Sequence, residues 1–352
     1  MTGQFSLSSG KTFRALLAKG GITVDKLEVV QGEQGGNNRI DIIQADRDQY
    51  VAKWYFSSDR DQRDRLGSEW SFLSYAQSAG LRSVPRPLAS LPEQRVALYE
   101  YLPGRKLSQK EIGLKEVCEA AQFLSDLNHP SLLRYSAGLQ MASEAFWSAA
   151  GHIEHIDSRL ARFNDVILSG EIDESFASLR NELQNLWQQI KTALRNFEAN
   201  FAFSLDEPLV INKRMISPSD FGFHNILFTP QDGLKFIDFE YAGWDDPAKS
   251  LSDFFLQPAL PVPFEYFESF VGIALQNFSE KEKILERVKI MLPLFALKWC
   301  CIILNPFVPE WADRSKFANN SLNLANLKAE RLVKAEAMSS RSRYLLGLSQ
   351  DI

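Results

Sequence analysis

The chain has little cysteine. Cys118, Cys300 and Cys301 are the only ones in 352 residues, and two of them are adjacent. Neighbouring cysteines pair badly with each other, and no C-x-x-C spacing occurs. A disulfide framework and a cysteine zinc site are both excluded, and a reducing, cytoplasmic setting is expected. Histidine is equally scarce: His129, His152, His155 and His224. His152 and His155 stand three apart without a partner pattern for zinc, so core or surface roles are favoured for them. The 39 basic and 44 acidic side chains leave a net charge of −5 with no basic block. Nucleic acid and anionic membrane are therefore poor candidates as partners. The N-terminus has no apolar core of a signal peptide. The most apolar stretch, residues 290–304, is broken by Pro293 and Lys298 and falls short of the roughly 20 residues a membrane span needs. A buried helix is expected there.

Hydrophobic residues at 45% and charged residues at 24% are ordinary globular values. The length suggests two domains or lobes. The first hundred residues read as strands. Runs at 27–30, 39–44 and 49–55 are bounded by turn residues and form an antiparallel meander, with a glycine cluster (Gly32, Gly35, Gly36) after the first. A helix at about 62–79 ends at Gly80. A strand at 96–101 leads into Leu102-Pro103-Gly104, which reads as a hinge. Helical patterns then dominate, at about 114–127, 143–162, 175–199, 265–276, 280–292 and 322–337, interrupted by a β-rich island at 210–241. The expected architecture is α+β and two-lobed, with lobes 1–102 and 103–352 and a cleft between them.

Chemistry concentrates in the island. Asp220 and Asn225 stand five apart in a loop that leads into a strand, and Asp232-Gly233 has hairpin chemistry that returns Asp238 beside Asn225. Asn and Asp oxygens suit a hard ion such as Mg²⁺. A further carboxylate, Asp220, can take a proton from a hydroxyl. Turn formation alone would also explain Asp and Asn here. In the first lobe, Lys53 is the single charge of Val51-Ala52-Lys53-Trp54-Tyr55, and Glu69 follows on the helix. A strand lysine paired to a helix glutamate presents an ammonium to phosphate. Gly35 and Gly36 can bring backbone amides close to phosphate or simply turn a hairpin. Phe239, Tyr241, Trp244, Phe254 and Phe255 form either a substrate wall or core.

Together these residues resemble the aminoglycoside phosphotransferase and choline kinase family, which has a protein-kinase-like fold. Asp220 and Asn225 match its catalytic loop, and Ile237-Asp238-Phe239-Glu240 matches its next strand. Lys53, Glu69 and the hinge Tyr99-Glu100-Tyr101-Leu102-Pro103-Gly104 fall in order before them. The resemblance implies an ATP-dependent transfer of phosphate to a hydroxyl of a small molecule, with GTP not excluded. It casts Asp220 as base, and Asn225 and Asp238 as Mg²⁺ ligands. Lys53 and Glu69 would act at the phosphates with Gly35 and Gly36, and backbone near Glu100 and Leu102 at the adenine edge. The Ile-Asp-Phe-Glu element speaks for a small molecule over a protein as acceptor.

The chain departs from the family pattern at several points. Pro218 stands where the family has histidine, Ser219 replaces a glycine, and Ser250 replaces the second Asp of an Asp-Pro-x-x-Asp element. Asp253 is expected to cap that helix instead. The glycine cluster is not Gly-x-Gly-x-x-Gly. These departures motivate an alternative, a non-catalytic, pseudokinase-like nucleotide-binding module. Residues 1–102 carry a net charge of +1 and the rest −6, which suits a cationic acceptor but leaves a neutral sugar equally open.

Overall fold

The computed structural model describes residues 7–31, 38–57, 63–166, 170–200, 203–308, 311 and 323–349. The chain divides into two compact units. One comprises Met1–Leu107, Ser131–Gln140 and Asn225–Ala242; the other comprises Ser108–Pro130, Met141–His224 and Gly243–Ile352.

In the first unit, strands β1 (Leu27–Gln31), β2 (Asn38–Ala45), β3 (Asp48–Tyr55), β4 (Pro87–Leu91) and β5 (Val96–Glu100) form an antiparallel sheet in the order β1-β2-β3-β5-β4. Alternation along the strands sorts their side chains. Ile43, Ala45, Ala52, Val96 and Leu98 are buried against Phe13, Leu16 and Leu17 of helix α1 (Leu7–Lys19). Trp54 meets Phe13 edge to face at 6.1 Å. Each such leucine contributes roughly 1.5–3 kcal/mol by leaving water. Lys53 and Tyr55 then point to the opposite face, where helix α2 (Arg65–Ser78) supplies Glu69. Helix α2 starts later than expected because Asp64 caps it, its carboxylate accepting from the Gly67 amide at 2.9 Å.

The same unit holds the hairpin of β6 (Ile226–Thr229) and β7 (Gly233–Phe236). Gly233 sits at φ +72°, as the Asp-Gly turn chemistry requires. The hinge packs on this hairpin through Arg105, whose backbone bridges Phe228. Gly104 has φ +155°, and a Cβ there would lie 3.0 Å from Leu227 Cβ, so only glycine fits without a shift.

The second unit is mainly helical: α3 (Leu114–Leu127), α4 (Ala149–Ala161), α5 (Glu171–Asn200), α6 (Pro247–Leu256), α7 (Phe267–Ala274), α8 (Lys281–Ile303) and α9 (Leu324–Ser349). A short strand pair, β8 (Met215–Ser217) with β9 (Gly243–Asp245), lies among them. Its core is aromatic, with Phe254 stacked on Phe270 at 4.2 Å. Helix α8 continues through Pro293, where the periodic reading stops, and its apolar stretch is buried. Among the described residues no helix is long and apolar enough to cross a membrane. Asp253 does not cap α6. The cap is Asp246, whose Oδ1 accepts from the Ala248 amide at 2.8 Å, while Asp253 lies near the far end of the helix.

Candidate active site

Lys53 is 5% exposed, and its Nζ donates to Glu69 Oε2 at 2.7 Å and to Asp238 Oδ1 at 2.5 Å. A buried ammonium is costly unless it is paired and its partners are satisfied. Glu69 meets that condition: it accepts from Tyr55 Oη at 2.8 Å and from the Phe239 amide at 3.2 Å. Tyr55 and Tyr99 in turn share a hydroxyl contact at 2.6 Å. Burial works against the charge on Lys53, but Asp238, Glu69 and Glu240 outweigh it and raise its pKa above the ordinary value. The ammonium stays charged across the physiological range.

Asp238 differs from Glu69 in two ways. Its side chain is 39% exposed, and its backbone sits at φ +70°, in the left-handed region. Aspartate tolerates that region better than most residues, and such outliers cluster at functional sites. Two residues on, buried Glu240 accepts from Asn38 Nδ2, with Arg65 Nε 3.8 Å away. Burial, and then the charge of Asp238, raise the Glu240 pKa. Asn225 joins through the backbone: its carbonyl accepts from the Ile237 amide at 3.0 Å, next to Asp238. The part-exposed Asp238 carboxylate and the side-chain amide oxygen of Asn225, whose backbone is bonded next to Asp238, are donor types that fit Mg²⁺, which takes few protein ligands and fills its shell with water and phosphate. Among the described residues no cluster of three or more His, Cys, Asp or Glu forms a metal cage.

Asp220 belongs to the second unit. Strand β8, which leads to it, is pinned by Asn128: the side-chain Oδ1 accepts from the Ile216 amide at 2.7 Å and Nδ2 donates to the Ile216 carbonyl at 2.9 Å. The Asp220 carboxylate, 36% exposed, lies 3.2 Å from His224 Nε2. Gly222 makes room for this. A Cβ there would lie 2.9 Å from His224 Nδ1 and 2.8 Å from Gln257 Cγ.

The structure thus brings together Lys53, Glu69 and Asp238, with Asn225 beside Asp238, and pairs Asp220 with His224. Gly35 and Gly36 lie outside the described residues. The Glu100 amide donates to the Arg86 carbonyl at 3.0 Å. Leu102 is half-buried in the hinge. Of the five aromatics, Phe239, Phe254 and Phe255 are buried, as the core reading expects. Phe239 stacks on Phe72 at 4.5 Å, Arg63 lies over Tyr241, and Phe254 and Phe255 are core. Asn38, Tyr55, Tyr99 and Asn128 escaped sequence reasoning. Tyr55 alone carried a signal, since it lies two residues from Lys53 and so on the same strand face.

The model of the phosphotransferase enzyme family matches residues 29–255. No curated protein matches the sequence. Solved structures with a similar fold include a choline kinase from Cryptosporidium parvum, at TM-score 0.61 and 12% identity over 97% of this chain and 99% of that one. A spectinomycin phosphotransferase in complex with ADP and spectinomycin aligns at TM-score 0.59 and 12% identity, over 94% and 98%. A choline kinase from Streptococcus pneumoniae aligns at TM-score 0.56 and 17% identity, over 96% and 100%. The expected α+β, two-lobed kinase-like fold is the fold found.

Proposed function

Since the chain belongs to the phosphotransferase enzyme family, we propose that it is a small-molecule kinase that transfers the γ-phosphate of ATP to an alcohol hydroxyl. One observation carries the reading: a buried, charged Lys53 held between a fully satisfied Glu69 and a half-exposed Asp238. An ammonium fixed in this way is positioned for phosphate oxygens, and phosphoryl transfer depends mainly on positioning and charge neutralisation. Glu69 holds Lys53 in place. Asp238 and Asn225 would hold Mg²⁺, which when bound neutralises phosphate charge. Asp220 accepts the proton of the acceptor hydroxyl, with His224 orienting its carboxylate. The hinge at Glu100 and Leu102 would take the adenine edge. Residues 1–102 would act as the nucleotide lobe and 103–352 as the lobe for catalysis and substrate. Relatives crystallised with ADP or AMP support the choice of an adenine nucleotide. Choline kinases and a spectinomycin phosphotransferase among the similar folds support a small hydroxyl-bearing acceptor.

The test is thermal stabilisation by ATP, GTP and their diphosphates, with and without Mg²⁺. A ligand at about 100 times its Kd adds roughly 2.7 kcal/mol to the folded state, enough to shift the melting point visibly. A Mg²⁺-dependent shift with ATP is expected, followed by phosphate transfer to a hydroxyl compound from a panel of amino alcohols and sugars. No shift with any nucleotide would refute the proposal. A shift without any transfer would favour the non-catalytic module.

A further inference from the structure

Lys249 on α6 is fully enclosed and reaches the loop that carries Asp220. Its Nζ donates to Asp245 Oδ2 at 2.8 Å and to Ser219 Oγ at 2.9 Å, with Asp253 Oδ2 at 3.8 Å. Asp253 is served separately: Lys298 Nζ donates to both its oxygens at 2.7 Å, and Trp299 Nε1 donates to Oδ1 at 2.7 Å. Two lysines and two aspartates are therefore stacked in the interior with their charges balanced. A lysine needed only for that balance requires no partner on the loop. Lys249 nevertheless directs one of its three donors to Ser219.

Ser219 is the residue under strain. Its φ is +66°, and the Asp220 amide donates across it to the Pro218 carbonyl at 2.9 Å. A hydrogen bond spanning two residues around a positive-φ centre is the rare, strained form of the γ-turn. Glycine would adopt it freely; serine does not. The turn is tied at the Ser219 amide and at its hydroxyl. The Ser219 amide donates to Ser217 Oγ at 2.9 Å, and Ser217 Oγ contacts Ser250 Oγ at 2.8 Å. Ser219 Oγ donates to the Ser143 carbonyl at 3.3 Å while accepting from Lys249. The three sites of departure from the family pattern, 218, 219 and 250, thus meet in one bonded set with Lys249.

We propose that Lys249 is a positioning residue for the phosphotransfer reaction. Through Ser219 Oγ it holds the strained turn that aims the Asp220 carboxylate, and it touches no reacting atom itself. The proposal rests on the reading of Asp220 as the proton acceptor.

Hydrolysis of Mg²⁺-ATP, with water as acceptor, provides the assay, and Asp220→Asn is the control. Ser219→Ala keeps the ion pairs of Lys249 and the strain of the turn, and removes the contact together with the hydroxyl's bond to the Ser143 carbonyl, a loss that Lys249→Met does not share. It should lower kcat about tenfold to a hundredfold, the scale of one hydrogen bond to a charged group, with KM for the nucleotide within about twofold. Ser219→Gly, which relieves the strain, should return kcat to within about threefold of wild type. Lys249→Met should lose as much as Ser219→Ala, and adding Ser219→Gly should recover it. If Lys249→Met does not fold, the two Ser219 variants decide alone. Wild-type kcat in Ser219→Ala, or no advantage of glycine over alanine, overturns the positioning role. Turnover that survives Asp220→Asn, or is absent from the wild type, instead overturns the functional reading, and the positioning role falls with it.

Discussion

Two lysines of this protein are buried between carboxylates, and they are built for different ends. Lys53 bridges Glu69 and Asp238; Lys249 bridges Asp245 and Ser219, with Asp253 close by. In both cases neighbouring carboxylates outweigh burial and raise the pKa. The difference lies in the partners. The Asp245 side chain is sealed, whereas that of Asp238 is 39% exposed and sits on strained backbone. A buried cation with a solvent-facing partner can change partners when a ligand arrives, whereas a sealed one can only hold. Exposure of the partner carboxylate, more than burial of the lysine, separates a binding group from a strut.

The largest effect tests the proposed proton acceptor against both lysines. Asp220→Asn should lower turnover about a thousandfold, within the usual range for a general base, while nucleotide-induced stabilisation survives. Next, Lys249→Met should destabilise the fold by about 3–5 kcal/mol in denaturant unfolding, because Asp245 is left buried and unpaired. Lys53→Met should cost less than that, since Glu69 keeps its bonds to Tyr55 and Phe239, yet it should erase the nucleotide melting shift. Equal costs at the two lysines would collapse the distinction. Asp238→Ala should leave ATP binding but remove its Mg²⁺ dependence, read by titration with and without the ion.

Smaller effects sharpen the contrast by pH. Burial raises the Asp246 pKa, but Arg287 and His152 outweigh it and hold the carboxyl below its ordinary 3.8. Its contribution to stability is present above that value and is lost as pH falls below it. Glu240 is shifted the other way, by burial and by Asp238, so its contribution is present below 4.5 and is lost as pH rises. Melting points across acid pH should therefore lose a falling slope in Asp246→Asn and gain relative stability above pH 4.5 in Glu240→Gln. The smallest change is expected at the exposed Arg86–Glu100 pair: Arg86→Ala should alter stability by no more than about 0.5 kcal/mol.

Much of the fold was legible where periodicity is strong. The bounds of α3 emerged as expected, and the strands of the meander appeared within a residue or so. Helix α1 went unread although Phe13, Leu16 and Leu17 carry helical spacing, because its remaining face is too mixed to stand out. Helix α8 was cut short at Pro293, since a rule about isolated helices ignores the packing that tolerates the ring. In the site, the pairing of Lys53 with Glu69 and the return of Asp238 next to Asn225 were readable from spacing and order, whereas the Lys53–Asp238 bond was not. Nor were Asn128 and Lys249. Asn128 acts on backbone 88 positions away, and no local pattern marks that contact. Lys249 looked like an ordinary helix lysine until its neighbours were known.

The backbone at Ser219 also sets an order for sequence drift. Replacing the serine by glycine first removes one of the two constraints on position 249, because the turn then needs no support from the side chain and only the ion pair with Asp245 still requires the lysine. Losing the lysine first strands a serine in a conformation it resists, so that ancestor would be the poorer enzyme. Descendants should therefore reach a neutral residue at position 249 through glycine at 219, and the reverse route should be rare.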